Sequence, residues 1–331
     1  MTPEKIAVFG AGSWGTAMAI MMARAGHHVT LWGHDPAHIA RLAADRCNAE
    51  FLPDNTFPAT LSLADKLADT IQTHDFLMFA VPSHAFRATL LKAKAHLTDD
   101  AIITWITKGF ETDTGLLAHE VVSEALGKET PMALISGPSF ALEVADDLPT
   151  AVVVASPDIK LAKRVANTLR TSNFLSFASD NIASAEIGGS MKNILAIAAG
   201  ISDGLGYGAN ARAALITLGL AEMVQLGKAY DCSERSFLGL AGVGDLVLTC
   251  TDNKSRNRRL GLMLGQGKGM AEAKADIGQE VEGIHAAREV HTICQKWSIE
   301  MPICNQVYRI LYQQLNPEVA VRYLLSIAQR V

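Results

Sequence analysis

The sequence predicts a doubly wound, mostly parallel α/β domain followed by an all-α domain. Three observations carry that expectation. Seven near-continuous apolar runs of strand length alternate with helical patterns between Lys5 and about Ala178, as strands buried on both faces of a parallel sheet require. After the polar break Ser179-Asp180-Asn181 the strand signals fade, and long helical patterns continue to Val331. The chain has 331 residues, 49% of them hydrophobic, more than one core of ordinary size uses and enough for two. The expected domains are therefore 1–181 and 182–331.

The predicted strands are Ile6–Phe9, Val29–Trp32, Phe76–Val81, Ile102–Thr107, Met132–Ile135, Ala151–Ala155 and Phe174–Phe177. The first runs directly into Gly10-Ala11-Gly12-Ser13-Trp14-Gly15, which opens a helix through Arg24. In that strand, turn and helix setting the glycines permit a tight turn and the close approach of a pyrophosphate to amides at the helix N-terminus. The first domain thus reads as Rossmann-type and dinucleotide-binding, with Gly10, Gly12 and Gly15 as the glycines of its cofactor turn.

At the end of the second strand stands Trp32-Gly33-His34-Asp35. An acidic side chain there would bond the ribose 2'-hydroxyl, whereas a basic or small one leaves room for a 2'-phosphate. Asp35 precedes Pro36 and is expected to cap a helix. Gly33 and His34 are left as the ribose-facing positions, which favours NADP(H) over NAD(H), with His34 near the phosphate. Ser156-Pro157 predicts a second N-cap of the same kind.

Lys108-Gly109 and Gly137-Pro138-Ser139 follow the carboxyl ends of two predicted strands, where open α/β sheets gather their ligands. Lys108 suits an anionic substrate. A solvated loop and an ordinary strand-to-helix turn are the equally weighted plain readings.

In the second domain the helical patterns are Ser184–Leu205, Asn210–Tyr230, Gly283–Trp297, Pro302–Leu315 and Pro317–Gln329, with the active site expected in the crevice between the domains. The most apolar stretch, Ile194 to Ile201, is far shorter than the roughly 20 residues that span a bilayer. It predicts a buried core helix. Lys192 lies in this helix, with Gly188 and Gly189 one turn back on its face, where they would let a ligand approach. Burial there would lower the lysine pKa and expose the neutral amine as a general base. A lysine snorkelling from a helix end is the alternative.

Gly242-Val243-Gly244-Asp245 sets a carboxylate in a glycine turn, and Thr249 to Arg259 follows with a compact run of phosphate-type donors. That composition suits one small phosphate ester. The formal charge of -5 and a pI near 6.1 argue against non-specific affinity for nucleic acid or anionic membrane. Cys47, Cys232, Cys250, Cys294 and Cys304 form no C-x-x-C pair, and His34 and His38 lack a nearby third ligand; no metal is expected. Met1-Thr2-Pro3-Glu4-Lys5 lacks the layout of a signal peptide. Reduced thiols and a cytoplasmic location are the expectation.

Taken together, Gly-Ala-Gly-Ser-Trp-Gly-Thr-Ala (10 to 17), Thr-Lys-Gly-Phe-Glu (107 to 111), Ser-Gly-Pro-Ser-Phe-Ala (136 to 141), Met-Lys-Asn (191 to 193), Gly-Leu-Ala-Gly-Val-Gly-Asp-Leu (239 to 246), Ser-Arg-Asn (255 to 257) and Val-Glu-Gly (281 to 283) resemble the bacterial-type NAD(P)-dependent glycerol-3-phosphate dehydrogenases over nearly the whole chain. The resemblance implies reversible reduction of dihydroxyacetone phosphate to sn-glycerol 3-phosphate, the precursor of glycerophospholipids. It makes Lys192 the general acid/base, with Lys108, Asp245, Asn193 and Thr249 around it. Substrate contacts are implied for Lys108, Gly137, Ser139, Lys192, Asp245, Ser255, Arg256 and Asn257. The cofactor contacts that the resemblance implies fall on Ser13, Trp14, His34, Lys108, Ala141, Arg256, Glu280 and Glu282.

Two departures stand out: Glu280 replaces an aliphatic residue, and Asp146-Asp147 replaces a pair that usually contains glycine. A β-hydroxyacid dehydrogenase and a non-catalytic NADP(H) sensor are the rival readings, and a homodimer is expected.

Overall fold

The computed structural model describes residues 3–328. Gln329 and Val331, at the ends of the last predicted helix and domain, lie outside the described residues. The chain divides into two compact units, Met1–Thr107 with Ala118–Ile182, and Lys108–Leu117 with Ala183–Val331. The excursion 108–117 therefore belongs with the helical part, which its position between two sheet strands in the chain gives no hint of.

The first unit contains strands β1 (Lys5–Phe9), β2 (His28–Trp32), β3 (Cys47–Asn48), β4 (Leu52–Thr56), β5 (Leu61–Ala64), β6 (Phe76–Phe79), β7 (Ile102–Trp105), β8 (Met132–Ser136), β9 (Thr150–Ala155) and β10 (Phe174–Ser179). Eight of them form one sheet in the order β10-β9-β8-β7-β6-β1-β2-β5. Every pairing in it is parallel except β8 with β9. All seven predicted strands are present, each shifted by at most two residues at either end. Their apolar runs are buried because helices cover both faces: Ile6, Val8, Leu31, Met78 and Ile135 pack with Met18, Ile20 and Val165 in one core.

Strand β5 and the antiparallel pair β3 and β4 were not expected. Leu61-Ser62-Leu63-Ala64 is an edge strand with only Leu61 fully buried, too short for its alternation to stand out. The winding direction, not the strand polarity, reverses between the parallel neighbours β1 and β6, with β2 and β5 added on one side of β1 and β6 to β10 on the other, so the glycine turn after β1 lies at the topological switch point.

Asp35 caps the helix Pro36–Asp45, its Oδ1 accepting from Ala37 N at 2.9 Å. The second predicted cap is corrected. Ser156 Oγ instead closes a local turn on Asp158 N, and Asp158 caps a helix that starts at Ile159, so Pro157 precedes the helix. Asp147 holds a positive φ of 57°, which explains why glycine suits this position and why Asp tolerates it. Its backbone and carboxylate oxygens both accept from Asn173 Nδ2 at 3.0 Å.

The second unit is helical, with Ile182–Gly204, Gly208–Lys228, Asp245–Thr251, Arg256–Gly265, Met270–Ile277, Glu282–Trp297, Pro302–Gln313 and Pro317–Ala328. Ile194, Leu195 and Ile197 lie at its centre beside Phe237, Leu246 and Leu260. Small residues let these helices close: a Cβ on Gly200 would lie 2.1 Å from Arg258 O, and one on Gly261 2.0 Å from Ile197 O. Among the described residues no helix is long and apolar enough to cross a membrane. The five cysteines are free thiols.

Candidate active site

On the first unit, β1 ends at Phe9 and the helix Ser13–Arg24 begins after Gly12. Gly10 has φ +125°, and a Cβ there would stand 2.6 Å from Ala80 O. A Cβ on Gly15 would stand 2.0 Å from Gly10 O. These two glycines therefore let the turn close. Gly12 is different, since a Cβ on it would meet nothing within 4 Å. No side chain caps the helix at Gly12, so the first-turn amides and an open approach stand where a pyrophosphate would rest. The donor set fits a dinucleotide. Asn48 Nδ2, bonded to Ala11 O and Thr16 Oγ1, braces the turn from β3.

Gly137 follows β8 with φ +142° and abuts Val152 Cα, and Ser139 Oγ donates to Gly137 O at 3.0 Å. Both are turn-forming here. Ala141 starts the short helix Ala141–Ala145, and His34 is exposed beyond β2.

On the second unit, one carboxylate binds two ammonium groups. Asp245 Oδ1 accepts from Lys192 Nζ at 2.5 Å and Oδ2 from Lys108 Nζ at 2.8 Å. Asp245 is 0% exposed and Lys192 9%. Three chain segments that are 53 to 137 residues apart in pairs meet at this point. Lys192 comes from the mid-helix of Ile182–Gly204, Asp245 from the first turn of Asp245–Thr251, and Lys108 from the 108–117 excursion.

Burial lowers the Lys192 pKa to about 8 against the pull of Asp245, with Lys108 adding a smaller push in the same direction. For Asp245 burial works to raise the pKa, yet the two ammonium groups overcome it and hold the carboxyl below its ordinary value. Its place in a first helical turn favours the anion as well. Thr249 Oγ1 donates to Asp245 O at 2.6 Å, one turn on.

Gly188 has a different job from the expected one. A Cβ there would lie 2.2 Å from Ala241 O, so this glycine admits the turn that delivers Asp245 rather than a ligand. Ser190 was missed in the sequence. Its buried Oγ accepts from Gly109 N at 3.1 Å and donates to Glu186 O, tying the Lys108 loop to the Lys192 helix. A serine inside an apolar helix was the available signal.

The predicted phosphate segment is linked to the same centre. Asn257 Nδ2 donates to Asn193 Oδ1 at 2.9 Å, Gly283 N donates to Asn257 Oδ1, and Asn193 Nδ2 reaches Glu282 at 3.1 Å. Ser255 caps the helix Arg256–Gly265 by accepting from Arg258 N. Arg256 Nη1 lies 3.4 Å from Gln279 Oε1, and Glu280 faces His285 at 3.1 Å. Arg258, read from the sequence as one of the phosphate-type donors, is buried and donates instead to Cys250 O, Asn253 and Asp203, which fixes this segment against the Lys192 helix.

A doubly wound sheet with an open glycine turn, and a helical unit with a buried lysine tuned towards neutrality, define an oxidoreductase of the nicotinamide-dependent class. Models for NAD-dependent glycerol-3-phosphate dehydrogenase match residues 5–162 (N-terminus) and 181–322 (C-terminus). A glycerol-3-phosphate dehydrogenase (NAD(P)+) of Yersinia pestis (strain Pestoides F) is 50% identical over 325 residues, 98% of this chain and 96% of that one. The crystal structure of glycerol-3-phosphate dehydrogenase from Coxiella burnetii superposes with a TM-score of 0.94 at 46% identity, covering 98% of this chain and 99% of that one. A ketopantoate reductase family structure from Ralstonia eutropha JMP134, at 17% identity and TM-score 0.61 over 96% and 99% of the two chains, shares the fold alone. The chain belongs to the NAD-dependent glycerol-3-phosphate dehydrogenase family.

Proposed function

We propose that this dehydrogenase interconverts dihydroxyacetone phosphate and sn-glycerol 3-phosphate with Lys192 as its general acid/base. The observation that carries the reading is the buried Lys192, Asp245 and Lys108 triad with a lysine pKa of about 8. A nicotinamide cofactor, when bound, supplies or receives the hydride at C2. In reduction the Lys192 ammonium gives a proton to the C2 carbonyl oxygen; in oxidation the neutral amine takes it from the hydroxyl. Asp245 aims Nζ and balances its charge, and Lys108 polarises the carbonyl. Asn193 and Thr249 keep these groups in place, while Ser255, Arg256 and Asn257 take the substrate phosphate.

NADP(H) is the favoured cofactor, with NAD(H) also accepted, because the Asp35 carboxylate is committed to its helix cap and His34 is the side chain at the ribose position. Ser13, Trp14, Glu280 and Glu282 are further proposed cofactor contacts. A cytoplasmic location is supported by the five free thiols. A homodimer is supported by the helix Gly208–Lys228, whose exposed face carries Ala213, Ala214, Thr217 and Leu218.

The test is loss of NADPH absorbance with dihydroxyacetone phosphate, beside keto acids that lack phosphate, in the wild type and Lys192→Ala. Phosphate-dependent turnover that falls about 10²- to 10⁴-fold in the variant, with NADPH affinity retained, is expected. Turnover of the keto acids instead would favour the β-hydroxyacid reading, and cofactor binding without turnover a sensor.

A further inference from the structure

At the carboxyl end of β2 a second basic group stands behind His34, held by a relay from the glycine turn. His38, half-buried in the helix Pro36–Asp45, lies 3.4 Å through Nε2 from Ala11 O, the carbonyl between Gly10 and Gly12. A carbonyl can only accept, so this contact places the imidazole proton on Nε2 and leaves Nδ1 as the acceptor. Arg41 Nη2, one turn further along the same helix, sits 3.4 Å from Nδ1 and donates to it. Phe51 packs edge-on against the His38 ring at 6.4 Å and fixes its plane. The guanidinium thus touches the same imidazole that contacts the glycine turn. Among the described residues no ion pair is formed by Arg41 or His34, Asp45 one turn beyond Arg41 included, and Asp35, next to His34 in the chain, is bound to Ala37 N.

We infer that Arg41 is the specificity-determining residue for the cofactor's 2'-phosphate, with His38 as the positioning residue that presents it. The inference rests on the NADP(H) reading above. A phosphate dianion is recognised by the planar guanidinium fork through two parallel charge-assisted hydrogen bonds, a geometry that a lone histidine cannot offer. The ribose 2'-substituent of a dinucleotide seated on the glycine turn emerges at the end of β2, which is where the relay from Ala11 through His38 brings Arg41. A ribose bearing a hydroxyl gains much less from the same group, so Arg41 separates the two cofactors by charge.

Isothermal titration of the intact protein with adenosine 2',5'-bisphosphate and with adenosine 5'-monophosphate reads this directly, beside KM for NADPH and NADH. Arg41→Ala is expected to weaken the bisphosphate about ten- to a hundredfold, the range for one charged hydrogen-bonding group, and to raise KM for NADPH in proportion. Affinity for the monophosphate and KM for NADH stay within about twofold, within ordinary surface-substitution effects. His38→Ala shifts the same ratio in the same direction by less. If Arg41→Ala leaves the ratio intact while His34→Ala abolishes it, the NADP(H) reading stands and Arg41 is wrongly assigned. A wild type that does not distinguish the two nucleotides overturns both, and an Arg41→Ala protein that loses both equally overturns the assignment.

Discussion

In the role proposed for Lys192, two opposing effects compete and burial outweighs the carboxylate. Burial disfavours its charge and Asp245 restores it, leaving a pKa of about 8, where both protonation states are accessible near neutral pH. Reduction needs the ammonium, so kcat/KM for dihydroxyacetone phosphate should fall as pH rises through about 8; oxidation needs the free amine and should rise over the same range. Asp245→Asn removes the charge that raises the lysine pKa. The reductive limb should then move to lower pH, and a profile of kcat/KM against pH in that variant checks it. An unchanged midpoint would show that Asp245 does not set the lysine.

The same groups link stability to pH. The folded Lys192 pKa lies below the ordinary value of 10.5, so between about 8 and 10.5 the unfolded chain holds a proton that the folded chain has lost, and this contribution to stability rises with pH there. Asp245 is depressed below 3.8; its contribution is complete above that value and is lost as pH falls through the lower, folded one. Lys192 and Asp245 were readable as candidates from an odd charge in an apolar helix and in a glycine turn. The partners of Ser190 and Arg258 were not, because a serine in an apolar helix and one arginine in a run of donors carry no sign of whom they will meet.

At the scale of elements, glycines decide how closely the catalytic segments pack. Gly188→Ala would force a Cβ to within 2.2 Å of a backbone oxygen at Ala241, and neither helix nor turn can yield without moving Asp245. Overpacking of this kind costs about 1–3 kcal/mol. A denaturation midpoint lowered to match, with kcat reduced more than KM, is the expected outcome; full activity at wild-type stability would place Gly188 outside the machinery.

Glu222 illustrates a different element-scale device. Its buried carboxylate accepts from Ile303 N at 2.5 Å and Cys304 N at 3.0 Å, capping the helix Pro302–Gln313 from the distant helix Gly208–Lys228. Burial raises its pKa despite those two bonds. Glu222→Ala leaves two buried amides without an acceptor and should cost about 1–3 kcal/mol, whereas Glu222→Gln keeps an oxygen without the charge and should cost less; urea unfolding of both variants compares them. The helix starting at Pro302 was legible from its proline, but its cap was not, since Glu222 lies 81 residues from Ile303 in the chain.

For the molecule as a whole, two separate cores carry the glycine turn on one unit and the Lys192, Asp245 and Lys108 cluster on the other. The nearly all-round apolar helix Gly208–Lys228 exceeds what one copy buries. Sedimentation should give about twice the 35.4 kDa chain mass, and Leu218→Lys should shift the protein towards the single-chain mass. A wild type at the single-chain mass would remove the dimer.

Strand order of appearance, the glycine turn, the Asp35 cap and the buried helix around Ile194 were set by the sequence itself, because each depends on spacing within a few residues and on burial of a periodic face. The pairing of Lys108 with Asp245, the recruitment of 108–117 to the helical unit and the contact of His38 with Ala11 O were decided only in the tertiary structure. These depend on which segments the folded chain brings within about 3 Å, the range at which hydrogen bonds and ion pairs act, and no local pattern records that meeting.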